Sequence, residues 1–535
     1  MADFIVVAIL VIIVGAAILY IRKAKKSGAK CIGCPSGCSC SGKKDEGAKC
    51  CCGCHSETNN REIRKHKRRK QRNIMLGIVI FIFIVAIAGI AAVVINQRNK
   101  QEELIKQKGE KKVQEVQKAQ IESAKKLLDL CYASILSEDA SVPAANTGEK
   151  LFSEWIFEHY PDEVKGKLLT ASKDGELTEA EIYQSVGESL HVLSDRYRGL
   201  LKDEMTAARK SIYLRDGKVK GEAEITIAGD LCLTEDGFVI DKYDTVNDLE
   251  KCISPKILEI TNQSDIFYIN HEYAISDRGT PLAGKYYTFR AQPKRMGLLK
   301  QMGTDIVSLA NNHVYDYGKE ALLDTTDLLD EAGIPYVGGG RNIAEAKRPI
   351  YFIVSGMKIG FVGASNAEKI RYTPQATEES PGILLAYDTA EYNQVIKEAS
   401  KECDYLIAYI HWGTEDSNDY NSNQQKWGRE FLNSGADIVI GGHPHVLQGM
   451  EYVDGKPIIY SLGDFWFNHE TKYTGVLKLN VGFDGLKEMS FVPCLQTNFT
   501  TQYLDTEDEQ EKLYSFLERL SPNIEIDAKG VITQK

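Results

Sequence analysis

Six short β-branched segments, each ending in a polar motif, limit this chain more than any other feature of it. Residues 225–228 deliver Gly229 and Asp230. Residues 266–269 deliver Asn270, His271 and Glu272, and residues 306–309 deliver Asn311, Asn312 and His313, with Asp316 just beyond. Residues 406–410 deliver His411, Trp412, Gly413 and Glu415. Residues 438–440 deliver Gly441, Gly442, His443, Pro444 and His445, and residues 458–460 deliver Ser461, Leu462, Gly463 and Asp464. Helical stretches separate these runs, and strands that alternate with helices predict an α/β domain. In open sheets of that class the site lies beyond the carboxyl ends of the strands, so residues far apart in sequence converge there.

Each motif taken singly has an ordinary structural reading. Gly229-Asp230 makes a turn, Asn312-His313 with Asp316 and Gly318 starts a helix, and a lone His411 packs behind a strand. Taken together they share one edge, and their types decide the chemistry. Asp, Glu, Asn and several His with no paired Ser or Cys nucleophile form a hard or borderline cation site, and mixed N and O donors suit Mn, Fe, Zn or Mg. The proline of His443-Pro444-His445 stiffens a turn that presents both imidazoles near that edge. Two adjacent divalent ions would activate a water and stabilise both oxygens of an in-line displacement at phosphorus.

Upstream of this domain the composition changes. Residues 4–21 and 74–95 are uncharged runs of 18 and 22 residues, each long enough to cross a bilayer. The first has no basic lead-in and a basic flank behind it, which predicts an uncleaved anchor. Of the chain's 65 Lys+Arg and 75 Asp+Glu, residues 22–72 hold 16 and 4, and residues 97–535 hold 49 and 70. The basic loop belongs in the cytoplasm by the positive-inside rule, so both termini face outward. The predicted order is a membrane helix at 1–21, a basic Cys-rich loop at 22–73, a second membrane helix at 74–96 and a Lys/Glu/Gln-rich helical stalk at 97–141. A helical region at 142–221, the α/β domain at 222–500 and a tail at 501–535 complete it. The negative balance of the large part excludes nucleic acid, whose binding rests on neutralising phosphates with Lys and Arg. The basic run 61–72 reads as a topology determinant.

In the helical region Thr178 and Glu181 can form a capping box, and Ile182, Val186, Leu190, Leu193, Tyr197, Leu201 and Met205 then recur at helical spacing, which predicts a core-facing stripe. Residues 173–176 with Glu181 do not make a calcium loop, because Thr170 falls where an aspartate must begin it.

Eight of the 13 cysteines, Cys31, Cys34, Cys38, Cys40, Cys50, Cys51, Cys52 and Cys54, crowd into the basic loop. In a reducing cytoplasm they read either as a low-complexity, palmitoylated loop or as ligands for a soft metal. One N-terminal span, a basic flank and then CIGCPSGCSCSG resemble the small FeoB-associated Cys-rich membrane proteins. That resemblance implies a link with ferrous iron uptake.

A second resemblance covers about residues 222–495. GDLCL, SDRGTPLAGKYYTFRAQPKRMGLLKQMGTDIVSLANNHVYDYG, YIHWGTE, DIVIGGHPHVLQG and YSLGDFWF, in that order, resemble the CapA family of poly-γ-glutamate capsule synthesis proteins. The family is similar to calcineurin-like metallophosphoesterases. The resemblance implies a four-layer αββα sandwich with a site for two divalent metal ions, preceded here by two transmembrane helices and the stalk. It implies Asp230, Glu272, Asn312, His411, His443 and His445 as metal ligands, His313 and Asp316 as catalytic residues, and Asn270 and Glu415 as residues that orient the ligands. The chain departs from the pattern in three places. Cys232 stands where phosphoesterases place a histidine, His271 where the family often has an apolar residue, and Asp464 where it often has Asn.

The expected function is that of a two-pass cell-membrane protein with its C-terminal domain extracellular. It would act with other capsule-polymer synthesis proteins in making, exporting or retaining poly-γ-glutamate, through a phosphoesterase-like site that takes an anionic polymer or phosphoester. The alternatives are a non-catalytic polymer-binding scaffold on the same fold, or an iron-uptake accessory acting through the Cys cluster.

Overall fold

The computed structural model describes residues 109–136, 152–197, 211–235, 238–367 and 371–535. Both expected membrane spans, the Cys-rich loop and the first part of the stalk lie outside these residues. Among the described residues no helix is long and apolar enough to cross a membrane.

Alternation along the strands builds the domain. On strand Tyr405–His411, Tyr405, Ile407 and Tyr409 enter one hydrophobic core, and Leu406, Ala408 and Ile410 enter another on the opposite face. Strand Ile266–His271 divides likewise, Ile266 and Tyr268 to the shared core, Phe267 and Ile269 to a third. A strand buried on both faces reads as a near-continuous apolar run, because successive side chains point opposite ways. The shared core therefore lies between two sheets. Each outer core is closed by helices: Pro255–Gln263, Met296–Gln301 and Gly318–Ala332 on one side, Thr389–Ala399 and Ser422–Asn433 on the other.

The seven-stranded sheet runs in the order Ile212–Arg215, Ile350–Val354, Met357–Ser365, Tyr405–His411, Ile438–Gly442, Lys456–Ile459, Met450–Val453. The eight-stranded sheet centres on Glu222–Leu231, which pairs in parallel with Ile266–His271 and Asp464–Trp466 and antiparallel with Lys472–Gly482. Parallel neighbours put several carboxyl ends at one edge, and that edge carries the polar motifs.

Three boundaries differ from the sequence reading. The stripe that starts after Thr178 is divided between two helices, Glu179–Val186 and Leu190–Tyr197, and its Leu201 and Met205 lie outside the described residues. The capping box is present, but Gly187 at φ +86° ends the first helix. The bend lets Ser189 N donate to Gly356 O (2.6 Å) and Tyr183 Oη to Ser355 O (2.9 Å), and Asp195 pairs with the equally buried Lys358 at 2.7 Å. Tertiary contacts at the sheet hairpin thus override a continuous helical stripe. The region expected to be helical to 221 also contains strand Ile212–Arg215, an edge of the first sheet. The segment expected as a tail from 501 instead packs: Leu513 and Leu517 of helix Glu507–Leu520, with Ile524, join the core between the sheets. Short edge strands carry too little periodicity to be read from sequence.

Candidate metal centre

Asp230 sits at the end of strand Glu222–Leu231, where the register against Ile266–His271 shifts between Ala228 and Asp230. Such a bulge re-aims a side chain. The residue before it must be small, since a Cβ on Gly229 would lie 1.9 Å from Gly463 O. Asp230 is fully buried. Its Oδ1 accepts from Asn270 Nδ2 (2.8 Å) and its Oδ2 from His443 N (3.0 Å). The same Asn270 amide also donates to Glu272 Oε2 at 3.1 Å, so one side chain holds two acids apart from each other and in place. Asn311 supports Asn270 in turn, donating to Asn270 Oδ1 (3.1 Å) and His271 O (2.8 Å).

Glu272 is the pivot. It is fully buried, and its Oε1 has no hydrogen-bond partner. That atom lies 3.4 Å from His411 Nε2 and 3.8 Å from His445 Nε2. Ligand atoms of Glu272, His411 and His443 lie within 4.8 Å of one another, and so do those of Asp230, Glu272 and His445. Two ligand clusters therefore share one carboxylate. Asn312 Oδ1, 2.8 Å from His411 Nε2, adds an oxygen donor to the first. Behind His411, Tyr409 Oη is 3.1 Å from Nδ1, where it can accept Nδ1–H and leave the Nε2 lone pair for a ligand role. Asp464 Oδ1 does the same for His445 at Nδ1, 2.8 Å away.

The His-Pro-His turn is strained into place. His443 and His445 have φ of +97° and +58°, in the region that favours glycine. Such residues cost on the order of 1–3 kcal/mol each and persist where their surroundings over-determine them. Gly442 before them admits no side chain, since a Cβ would meet Tyr409 Oη at 2.3 Å and Asp230 Oδ1 at 2.7 Å.

Burial dominates the electrostatics. It lifts Asp230 to about 7, with Glu272 adding to the effect, and lifts Glu272 itself to about 7. It pushes His411 down to about 3 and His443 well below the usual imidazole range. At His445 burial pulls the same way, but Asp464, Glu272 and Asp230 outweigh it and carry the group up to about 10. Acids that resist ionising, with His411 and His443 resisting protonation, are what a dry cavity imposes on ligands without a cation. A divalent ion fits this donor set: it would satisfy the orphaned Glu272 Oε1 and offset the crowded carboxylates.

His313 and Asp316 are arranged in series. Asp316 is fully buried and does not join the ligand clusters. Its Oδ2 lies 2.6 Å from His313 Nδ1 and accepts from Phe289 N (2.7 Å), and its Oδ1 accepts from Lys285 Nζ (2.7 Å). The sequence reading made Asp316 catalytic; its position is behind His313, which it orients. Lys285, itself almost buried, also donates to Asn312 O. Nothing in its sequence context marks it, since it lies in a loop rather than at a strand end. Glu415, expected to orient ligands, is exposed at the mouth with Oε1 3.9 Å from His443 Nε2, and it forms a third cluster with His443 and His445. Asn270 contacts both acids directly.

The departures resolve differently. The Cys232 thiol is fully buried, held well above its usual range by burial, and joins no ligand cluster. The His271 ring lies 3.9 Å from Tyr273, with both nitrogens buried and unpartnered, and burial drops it to about 3. Asp464 supports His445, a role that Asn could fill only as a neutral acceptor. The eight clustered cysteines lie outside the described residues.

Comparison with known proteins brings these residues under one heading. A family model described as bacterial capsule synthesis protein PGA_cap matches residues 224–469. The PGA biosynthesis protein CapA of Bacillus subtilis (strain 168) is 34% identical over 187 residues, covering 35% of this chain and 48% of that one. The capsule biosynthesis protein CapA of Bacillus anthracis is 30% identical over 227 residues, covering 41% and 53%. The chain spans about half the length of the curated relatives it matches.

Proposed function

We propose that this protein, whose residues 224–469 match the family model of bacterial capsule synthesis protein PGA_cap and resemble the CapA proteins, takes part in making, exporting or retaining a poly-γ-glutamate capsule at the cell envelope, through a divalent-metal centre that acts on a phosphoester or an anionic polymer. The observation that carries the proposal is Glu272, a fully buried carboxylate with an unpartnered oxygen, shared by two ligand clusters. Asp230, Glu272, Asn312, His411, His443 and His445 would hold the metal, in the manner of a metallophosphoesterase. Bound there, divalent ions would polarise a phosphoryl oxygen and make a water nucleophilic at neutral pH. Asp316, held in place by hydrogen bonds from Lys285 Nζ and Phe289 N, accepts from His313 Nδ1–H and leaves Nε2 to exchange a proton with substrate. The expected setting is the two-pass membrane protein described above, with this domain outside the cell.

The test uses the full-length chain. We expect bound Mn, Fe, Zn or Mg by elemental analysis, and metal-dependent turnover of a generic phosphomonoester or phosphodiester that is lost in Asp230→Ala and His443→Ala. Metal without turnover would favour a second reading, a centre that binds polymer and does not cleave. Cys232 supports that reading, since a buried neutral thiol where phosphoesterases have histidine leaves the Asp230 cluster one donor short. Absence of bound metal from protein supplied with all four ions would defeat both.

A further inference from the structure

Between strands Ala274–Ile275 and Arg290–Ala291 the chain makes a loop over the metal centre. Two of its residues reach inward. Lys285 is fastened to Asp316 and to the carbonyl of Asn312, and the buried ring of Phe289 lies 4.2 Å from that of His313. The two residues after Lys285 do the opposite: Tyr286 is 90% exposed and Tyr287 60%, their rings 4.7 Å apart and edge to face. Tyr287 in turn lies 6.4 Å from Phe289. A series of rings thus runs from solvent to the imidazole of His313.

A neighbouring segment is tied to the same place. Tyr372 Oη donates to Gly284 O (2.6 Å) and Thr373 Oγ1 to Asn312 O (2.9 Å). Exposed Arg371 stacks on the Tyr372 ring, its guanidinium 4.4 Å from the centroid, and donates to the Tyr372 hydroxyl at 2.7 Å. The buried bond of Thr373 and the part-buried bonds of Lys285 thus fasten the two segments that carry the exposed rings and the guanidinium beside the centre. Exposed apolar patches mark interaction sites, and aromatic rings and Arg dominate binding hot spots.

We propose that Tyr286, Tyr287 and Arg371 form a docking platform for an extended polyamide chain bearing carboxylates, which they guide to His313 and the metal centre. The proposal rests on the capsule-polymer reading above and adds the place where polymer is held. Tyrosine faces take planar amides, their hydroxyls hydrogen-bond to amide groups, and a guanidinium pairs with carboxylate. The chain carries a net charge of −10, which repels a polyanion in bulk, so such a ligand needs a fixed cation at its point of contact.

The test measures anisotropy of a dye-labelled γ-linked glutamate oligomer against metal-loaded full-length protein, a readout that needs no turnover. Wild type binds. The double variant Tyr286→Ser/Tyr287→Ser, altered only at exposed positions, binds about tenfold more weakly or worse while its metal content is unchanged. Arg371→Ser weakens binding and flattens its salt dependence. Equal binding by wild type and the tyrosine variant would overturn the platform and leave the capsule-polymer reading standing. No binding by wild type would overturn both. Adenosine monophosphate bound in preference to the oligomer, and lost in the tyrosine variant, would overturn the polyamide assignment.

Discussion

Asp129 in the helical region and Glu272 at the strand ends are both buried carboxylates, and the molecule treats them differently. Asp129 lies on helix Gly109–Leu136, and both its oxygens are used: Oδ1 accepts from Ser153 N at 2.9 Å and Oδ2 from Ser153 Oγ at 2.7 Å. It caps the start of helix Phe152–His159 from a neighbouring helix and faces a core of Leu128, Phe152, Ile156 and Ile182. Glu272 has one oxygen held by Asn270 and the other free of any donor. A buried acid that is fully hydrogen-bonded is a structural device, whereas one left half-satisfied among imidazoles carries an energetic cost that a cation would remove. Burial alone does not separate the two cases; the partner list does.

The largest test of this contrast is Glu272→Gln. Calorimetric titration with Mn should show cation affinity falling by more than the roughly 100-fold that losing a supporting residue costs. The chelated protein should unfold at a temperature no lower than wild type. A lower unfolding temperature without metal would place Glu272 with Asp129 as a structural acid. Next in size is Asp129→Ala, which leaves the buried Ser153 N–H without an acceptor and should cost about 1–3 kcal/mol in denaturant unfolding, with metal affinity untouched.

The third test is pH. Burial raises Asp129 to about 6 from 3.8, against the opposing pull of the Ser153 hydrogen bonds. The folded state then binds more protons than the unfolded chain between those values, so its contribution to stability grows as pH falls from about 6 towards 4 and is lost as pH rises. The difference in stability between wild type and Asp129→Asn, which cannot titrate, should shift by about 2 kcal/mol across that window, moving toward wild type at low pH. A difference that stays flat would contradict the assignment. The smallest effect is expected for Tyr409→Phe, which removes the acceptor behind His411 Nδ1 and should weaken metal binding about tenfold without altering the fold.

The contrast also explains which parts of the site could be read from sequence. Asp230, Glu272, Asn312, His411, His443 and His445 stand directly after β-branched runs, and a strand end is a local pattern. The residues that complete their surroundings are non-local. Lys285 comes from a loop and meets Asp316 through tertiary folding alone, and Tyr409 reads as one more core residue of its strand. Asp464 departs from the family pattern in sequence, and its role comes only from its 2.8 Å distance to His445 Nδ1 in the fold. For the fold, the alternation of strands and helices carried the α/β reading. The break at Gly187 did not show, because apolar periodicity continues through it and the cause lies at Ser355 and Gly356. Likewise, the closing segment 501–535 is short and charged on its outer face, so its contribution to the core between the sheets has little local signature.

Asp464 and Asp230 are direct partners across adjacent parallel strands, which has a consequence for biosynthesis. The strand that supports His445 is made long after the strand it lies against, so a nascent chain that has emerged only as far as His411 already carries Asp230, Glu272, Asn312 and His411 but no closed pocket. Ions present during synthesis would meet a competent receptor only once Asp464 has emerged, and chains released before that point would be left unable to retain them.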